Sequence, residues 1–174
     1  MANQTPADTI DLIIEQWQQE KPQLNTLPMA MLGRMKRLAA HSEKAIADCH
    51  KQFGIKLGEF DVLATLLRSG QPYTLTPSVL FKTMMLSSGA MTNRLDRLEE
   101  KGLITRAHSK DDRRSVTVSL TDEGKALIEE AIVAHVKVQE SLVAGITTED
   151  QHAFSELSKR WLISLKHDAD LPQD

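Results

Sequence analysis

The sequence predicts a mostly helical α+β chain, with long helices toward both ends and a compact middle that contains one β-hairpin. Three observations carry this. Glycine and proline are scarce, at eight and six in 174 residues. Apolar residues recur at helical spacing over most of the chain. The one clear break is the 103–120 region, where Val116, Val118 and Leu120 alternate with hydroxylated residues behind a charged turn, the period-two pattern of a half-buried strand.

The elements follow in order. Residues 8 to 21 carry Ile10, Ile13, Ile14 and Trp17 at helical spacing before Pro22 interrupts, a short amphipathic leading helix. After a loop from Pro22 to Pro28, Met29, Leu32, Met35, Leu38, Ile46 and Cys49 continue one stripe as far as Phe53-Gly54, where glycine can end the helix. Phe60, Leu63, Leu66 and Leu67 form another helix, closed by Ser69-Gly70. Thr76-Pro77 then supplies an N-cap and a first-turn proline for a short helix reaching about Met84. Leu86-Ser87-Ser88-Gly89 breaks the pattern, and Met91, Leu95 and Leu98 restart it until Lys101-Gly102. Two short helices joined by a tight polar turn, followed by a basic-tipped hairpin, make a winged helix-turn-helix with a two-stranded wing. Thr121 caps a long helix ended by Gly145, and Thr148 with Gln151 is expected to start the last helix, through Leu165. The organisation expected is a leading helix and loop over 1–27, dimerisation helices over 28–57 and 121–168, a DNA-binding domain over 58–120 and a tail over 169–174.

Composition excludes several classes. With 41% hydrophobic and 26% charged residues, no apolar run approaches the ~20 residues that span a bilayer. The N-terminus lacks the basic and apolar regions of a secretory signal, so a cytoplasmic location and no membrane partner are expected. One cysteine, Cys49, makes neither an intrachain disulfide nor a zinc cluster. The six histidines never form a tight HxH or HxxxH pair, so no metal and no cofactor is expected. His41 and His50, on the presumed dimer helix, could sense pH, with solvated side chains as the ordinary reading. No P-loop, GxGxxG, GxSxG or HExxH occurs, and Glu99-Glu100 reads as a solvated helix pair, so the chain is not expected to be an enzyme.

Charge is unevenly spread. The net charge is -3, yet Lys82 to Arg114 holds eight basic residues against five acidic ones. A basic middle in an acidic body suits one face meeting a polyanion. With Met91, Leu95, Leu98 and Gly102 on the core side of the second helix, Gly89, Asn93 and Arg97 turn outward and Ser88 and Thr92 sit at the rim. Asn pairs with adenine and Arg with guanine, and Ser87 and Ser88 at the helix start suit a phosphate. Arg113 and Arg114 at the wing would reach minor-groove edges or phosphates, oriented by Asp112. Double-stranded DNA is the partner this predicts. A winged helix that binds protein is the alternative.

The run Asp112-Arg113-Arg114-Ser115-Val116-Thr117-Val118-Ser119-Leu120-Thr121-Asp122-Glu123-Gly124 resembles the wing-to-helix signature of the MarR family of bacterial regulators, and Leu95-Asp96-Arg97-Leu98-Glu99-Glu100-Lys101-Gly102-Leu103-Ile104 resembles the end of its recognition helix. The resemblance implies a homodimer with intertwined terminal helices that reads a pseudopalindromic operator. A narrower resemblance, through 59–66, 73–77 and 85–96 and the tryptophan-bearing leading helix, is to the urate-responsive PecS and HucR type. It implies repression released by a small aromatic anion, and by position its ligand-linked residues fall on Trp17, Asp61 and Arg94.

Spacing bears on this separately. Arg94, three residues after Met91 and four before Leu98, leans toward the apolar side of its helix and needs a partner there. Asp61 could simply be that partner in a structural salt bridge, with Trp17 merely packed. Cys49 could be a peroxide-sensing thiol, or a core cysteine in an apolar stripe.

Overall fold

The computed structural model of the chain describes residues 6–84, 91–108 and 116–165. They form two compact units, divided between residues 45 and 46.

In the first unit, helix α1 (Thr9–Glu20) starts at Asp8, whose carboxylate accepts the amide N–H groups of Ile10 and Asp11 at 2.7 and 2.9 Å. Asp11 returns the favour, accepting the Asp8 N–H at 2.8 Å, and the reciprocal pair satisfies donors that a helix start leaves open. Helix α2 (Leu27–Gln52) begins with Pro28 inside its first turn, where the missing N–H costs nothing, so the preceding loop is shorter than expected. Arg34 of α2 donates to Asp8 through Nε at 2.9 Å and also reaches Asp11. Its guanidinium, helped by the Asp11 and Ile10 amides, holds the Asp8 carboxyl down at about 2. Ile10 is buried in this unit, against the Cα of Gly33.

The second unit holds the end of α2 from Ile46 onward, helix α3 (Leu57–Arg68), strand β1 (Thr74–Leu75), helices α4 (Pro77–Thr83) and α5 (Met91–Glu100), strands β2 (Ile104–His108) and β3 (Val116–Leu120), and helices α6 (Asp122–Leu142) and α7 (Thr148–Ser164). Its core joins Leu63 and Leu66 of α3, Leu80 of α4, Leu98 of α5, Ile104, Val118 and Ile128, all essentially inaccessible to water. Leu63, Leu66, Leu98 and Val118 belong to the apolar patterns read in the sequence, whereas Leu80 and Ile128 are core residues those patterns do not single out. The hairpin β2–β3 pairs Ile104 with Leu120 and His108 with Val116. A third strand joins it: β1 runs antiparallel to β3 with Thr74 opposite Ser119, their hydroxyls 2.7 Å apart. The wing sheet therefore has one short strand beyond the expected two.

The caps follow the sequence closely. Thr76 accepts the Val79 N–H, and Pro77 opens α4. Thr121 accepts the Gly124 N–H at 2.9 Å and donates to the Gly102 carbonyl at 2.7 Å, tying the start of α6 to the end of α5. Gly54 and Gly102 end α2 and α5 with positive φ of 67° and 69°, as C-terminal glycines do. Gly102 is exposed as a consequence, outside the core face assigned to it. The last helix starts one residue early. Thr147, rather than Thr148, is the N-cap, accepting the Asp150 N–H and donating to the Asp150 carboxylate.

The histidines hold the largest departure. His50 is fully buried, where a solvated ring is expected. Its ring stacks on Phe60 of α3 at 3.9 Å between centroids, and its Nε2 lies 3.1 Å from Nδ1 of His135 on α6. Cys49 beside it is buried too, the position of a packed core thiol.

Candidate nucleic-acid interface

The two halves of the helix-turn-helix differ in what they expose. Leu95 and Leu98 are buried and Met91 half-buried, which fixes the rotation of α5 on the core. Thr92, Asn93 and Arg97 are then all exposed on its outer side, together, as the spacing predicts. Ser87, Ser88 and Gly89 in the turn, and Asp112, Arg113 and Arg114 at the wing tip, lie outside the described residues.

Arg94 occupies the intermediate side of α5. Its guanidinium runs over the Cα of Gly58 in the first turn of α3, so closely that a Cβ built on Gly58 would lie 2.6 Å from Arg94 Cζ. Among the described residues its five N–H donors meet no hydrogen-bond acceptor, and no direct ion pair joins it to Asp61. Its charge nevertheless reaches Asp61. Burial pushes the Asp61 carboxyl above its ordinary value, and Arg94 offsets only part of that rise. Two half-buried ionisable groups thus share a region without satisfying each other. The simple salt bridge open at the level of sequence is absent among the described residues. Trp17 belongs to the first unit, where it stands 41% exposed on α1.

Two further basic residues are spent internally, and neither is recognisable from spacing. Arg106 of β2 donates to Glu99 through Nε at 2.8 Å and through Nη2 at 2.6 Å, and reaches Asp96 at 2.7 Å. Its backbone N–H also donates to Glu99, at 3.1 Å. The hydrogen bond from Arg106 holds Glu99 below the usual carboxylate range. Glu99 is therefore a brace between α5 and the wing, in contrast to the freely solvated residue expected. Lys101, just past α5, donates to the Gly54 carbonyl at 2.9 Å and to Glu59 at 2.6 Å. Glu59 is 2% exposed. Burial works to raise its pKa, but the bonds from Lys101 and from the Lys56 N–H outweigh it and leave the carboxyl below its ordinary value.

α5 is thus a helix with a polar outer side that presents Asn93 and Arg97 and an inner side pinned to α3 and β2. That arrangement can enter a major groove while its position answers to what touches the inner side. No helix among the described residues is long and apolar enough to cross a membrane, and no cluster of three metal-ligating side chains occurs among them.

Comparison with known proteins agrees with this geometry. Residues 55–116 match the model of the MarR family. The chain is 36% identical over 139 residues to the HTH-type transcriptional regulator PecS of Dickeya dadantii, covering 80% of this chain and 84% of that protein. Among solved structures, a mutant MarR from E. coli complexed with operator DNA superposes with a TM-score of 0.67 at 24% identity, over 90% of this chain and 99% of that one. BpsR of Bordetella bronchiseptica, in a structure concerned with regulation of its DNA binding by 6-hydroxynicotinic acid, gives 0.68 at 20% identity, over 79% and 95%. The α5 face, the wing and the agreement with PecS over most of both chains lead to one conclusion: the chain belongs to the MarR family of transcriptional regulators.

Proposed function

We propose that this protein is a repressor that binds a pseudopalindromic operator as a homodimer and is released by a small aromatic anion, of which urate is the leading candidate. The observation that carries it is the two-sidedness of α5. Asn93 and Arg97 are exposed on the outside for base edges, while the neighbouring Arg94 turns inward with a guanidinium that meets no acceptor among the described residues. A half-buried arginine without an acceptor is a receptor for a carboxylate or an oxyanion. Asp61, whose carboxyl burial raises above its ordinary value, is the second residue that resemblance implies for the ligand. Trp17, the third residue that resemblance implies for the ligand, is an exposed ring on α1. The BpsR structure supports the class of effector, since that protein's DNA binding is regulated by a small heteroaromatic acid.

Dimerisation is supported by the apolar faces that the helices leave in water. Leu12 and Ile13 of α1, Leu32 and Leu38 of α2, and Phe154, Leu157, Leu162 and Ile163 of α7 are all exposed, and α7 has no buried residue. A monomer does not keep that much apolar surface wet. A two-fold dimer with one α5 per half-site reads half-sites about one helical turn, ~10 bp, apart, with Ser87, Ser88, Gly89, Thr92, Asn93 and Arg97 in the groove and Arg113 and Arg114, oriented by Asp112, at the flank.

The test is footprinting of the selected operator, followed by release with sodium urate. Expected are a symmetric footprint, loss of roughly 1 to 3 kcal/mol of sequence discrimination in Arg97→Ala, and release that fails in Arg94→Ala while operator binding survives. An asymmetric monomer footprint removes the dimer, and release of Arg94→Ala at the wild-type urate concentration removes the effector site.

A further inference from the structure

Gly58 is the second residue of α3, in ordinary helical conformation, so its backbone does not require glycine. Glycine inside a helix is a poor choice on propensity, because it gives up conformational freedom that alanine would not. The reason for it is space. The three atoms nearest to a Cβ here all belong to Arg94: Nε and Cζ would lie closer than side-chain atoms approach one another, and Cδ would be 3.0 Å away. Asp61 follows three residues later and so stands on the same side of α3. Gly58 and Asp61 therefore form a floor and a wall beside one guanidinium, whose donors are left without acceptors among the described residues.

On the reading of Arg94 as an anion receptor, we infer that Gly58 is a positioning residue of that site. Its bare Cα lets the guanidinium lie flat against α3, donors free, and thereby fixes where a bound anion sits relative to α5. The argument needs no contact between Gly58 and the ligand. The guanidinium is planar and forked, so the direction in which it offers paired N–H groups depends on the surface it rests on. A methyl group at position 58 lifts the fork off that surface. The nearest obstacles are the far end of a flexible side chain, which can give way by moving. Gly58→Ala is for that reason a selective probe: it leaves the charge of residue 94 intact and changes only its place. Residue 58 also becomes a specificity determinant, because a fork lifted from α3 would suit a different anion size.

The experiment compares wild type, Gly58→Ala, Arg94→Ala and the double variant as full-length protein. Sodium urate binding is measured by calorimetry, and the Asp61 carboxyl is titrated by carbon NMR. Gly58→Ala is expected to keep the wild-type circular dichroism and melt, and to lose at least about tenfold in urate affinity, the scale of one charge-assisted hydrogen bond. It should also raise the Asp61 pKa further as the arginine's charge recedes. In the Arg94→Ala background the glycine substitution should change neither quantity, since it acts through that side chain. Wild-type affinity and an unmoved Asp61 in Gly58→Ala, while Arg94→Ala fails to bind, would overturn the inference and leave the anion site standing. So would a Gly58→Ala that fails to fold. Identical binding by wild type and Arg94→Ala, or no urate binding by the wild type, overturns both.

Discussion

Burial of the His50–His135 pair sets a measurable acid limit on the stability of this fold. His50 is fully inaccessible, its Nε2 lies 3.1 Å from His135 Nδ1, and its own Nδ1 is buried without a partner among the described residues. With both rings neutral, one nitrogen donates to the other. With both protonated, two N–H groups point at each other, and no water reaches the ring of His50. Burial first, and then the charge of His135, lowers the His50 pKa from 6.5 to about 4; burial lowers that of His135 as well. The folded state therefore binds these protons less tightly than the unfolded chain. Stability from the neutral pair is complete above pH 6.5 and is lost as pH falls from there toward 4. For His50 alone the loss amounts to roughly 3 kcal/mol across that window, at a limiting slope of ~1.4 kcal/mol per pH unit. The assay is urea unfolding at several pH values and one fixed protein concentration, wild type against His50→Leu, which keeps an apolar side chain of similar volume on Phe60. The variant should be less dependent on pH between 6.5 and 4 by about one proton. Equal slopes for the two proteins over this range would refute the reasoning, since carboxylates titrate in both.

Three other outcomes follow from packing and charge. A Cβ at Gly124 would overlap the Leu103 carbonyl oxygen and come within 2.8 Å of its carbon, so Gly124→Ala should cost roughly 1 to 3 kcal/mol or more; an unchanged melting temperature contradicts this. Arg106→Ala leaves Asp96 and Glu99 un-neutralised on α5 and unpins β2 from it, so operator affinity should fall in mobility shifts, and an unaltered affinity would show that the brace does not serve DNA binding. Because burial holds the Asp61 carboxyl above its ordinary pKa of 3.8, its ionised form costs stability at neutral pH. Asp61→Asn should raise the urea midpoint at pH 7, and the gain should vanish below pH 3.8; a gain independent of pH would point to packing instead.

Much of this architecture is written in local pattern. The stripe Met91, Leu95, Leu98 fixes the rotation of α5, and that one fact turns Thr92, Asn93 and Arg97 outward and Arg94 inward. Thr76-Pro77 and Thr121 with Gly124 are caps whose chemistry is complete within four residues. What escapes the sequence is made by tertiary approach. His50 and His135 are 85 positions apart, and no local periodicity marks them as neighbours. Thr74–Leu75 is too short for alternation to show, and becomes a strand only because β3 offers it an edge. Arg106 and Lys101 read as part of a basic cluster, yet both are neutralised by carboxylates that only the fold brings near. Counting charges along the chain overstates what α5 and the wing can offer to phosphate.

Those two internal pairs also decide how a signal can travel. Arg106 fastens β2 to the side of α5 through Asp96 and Glu99, and Lys101 fastens the end of α5 to Gly54 and to buried Glu59. Thr121 and Gly124 then join the end of α5 and Leu103 to the start of α6. A tilt of α5 has to shift or break these charge-assisted contacts. It carries the wing root on one side and strains the α6 junction on the other. On the proposed function, a ligand against Arg94 would need only to favour one orientation of this braced unit to change the spacing of the groups proposed to meet DNA. The size of the effect is bounded by the ligand's difference in affinity for the two orientations, and a ligand binding both equally would shift nothing however tightly it bound.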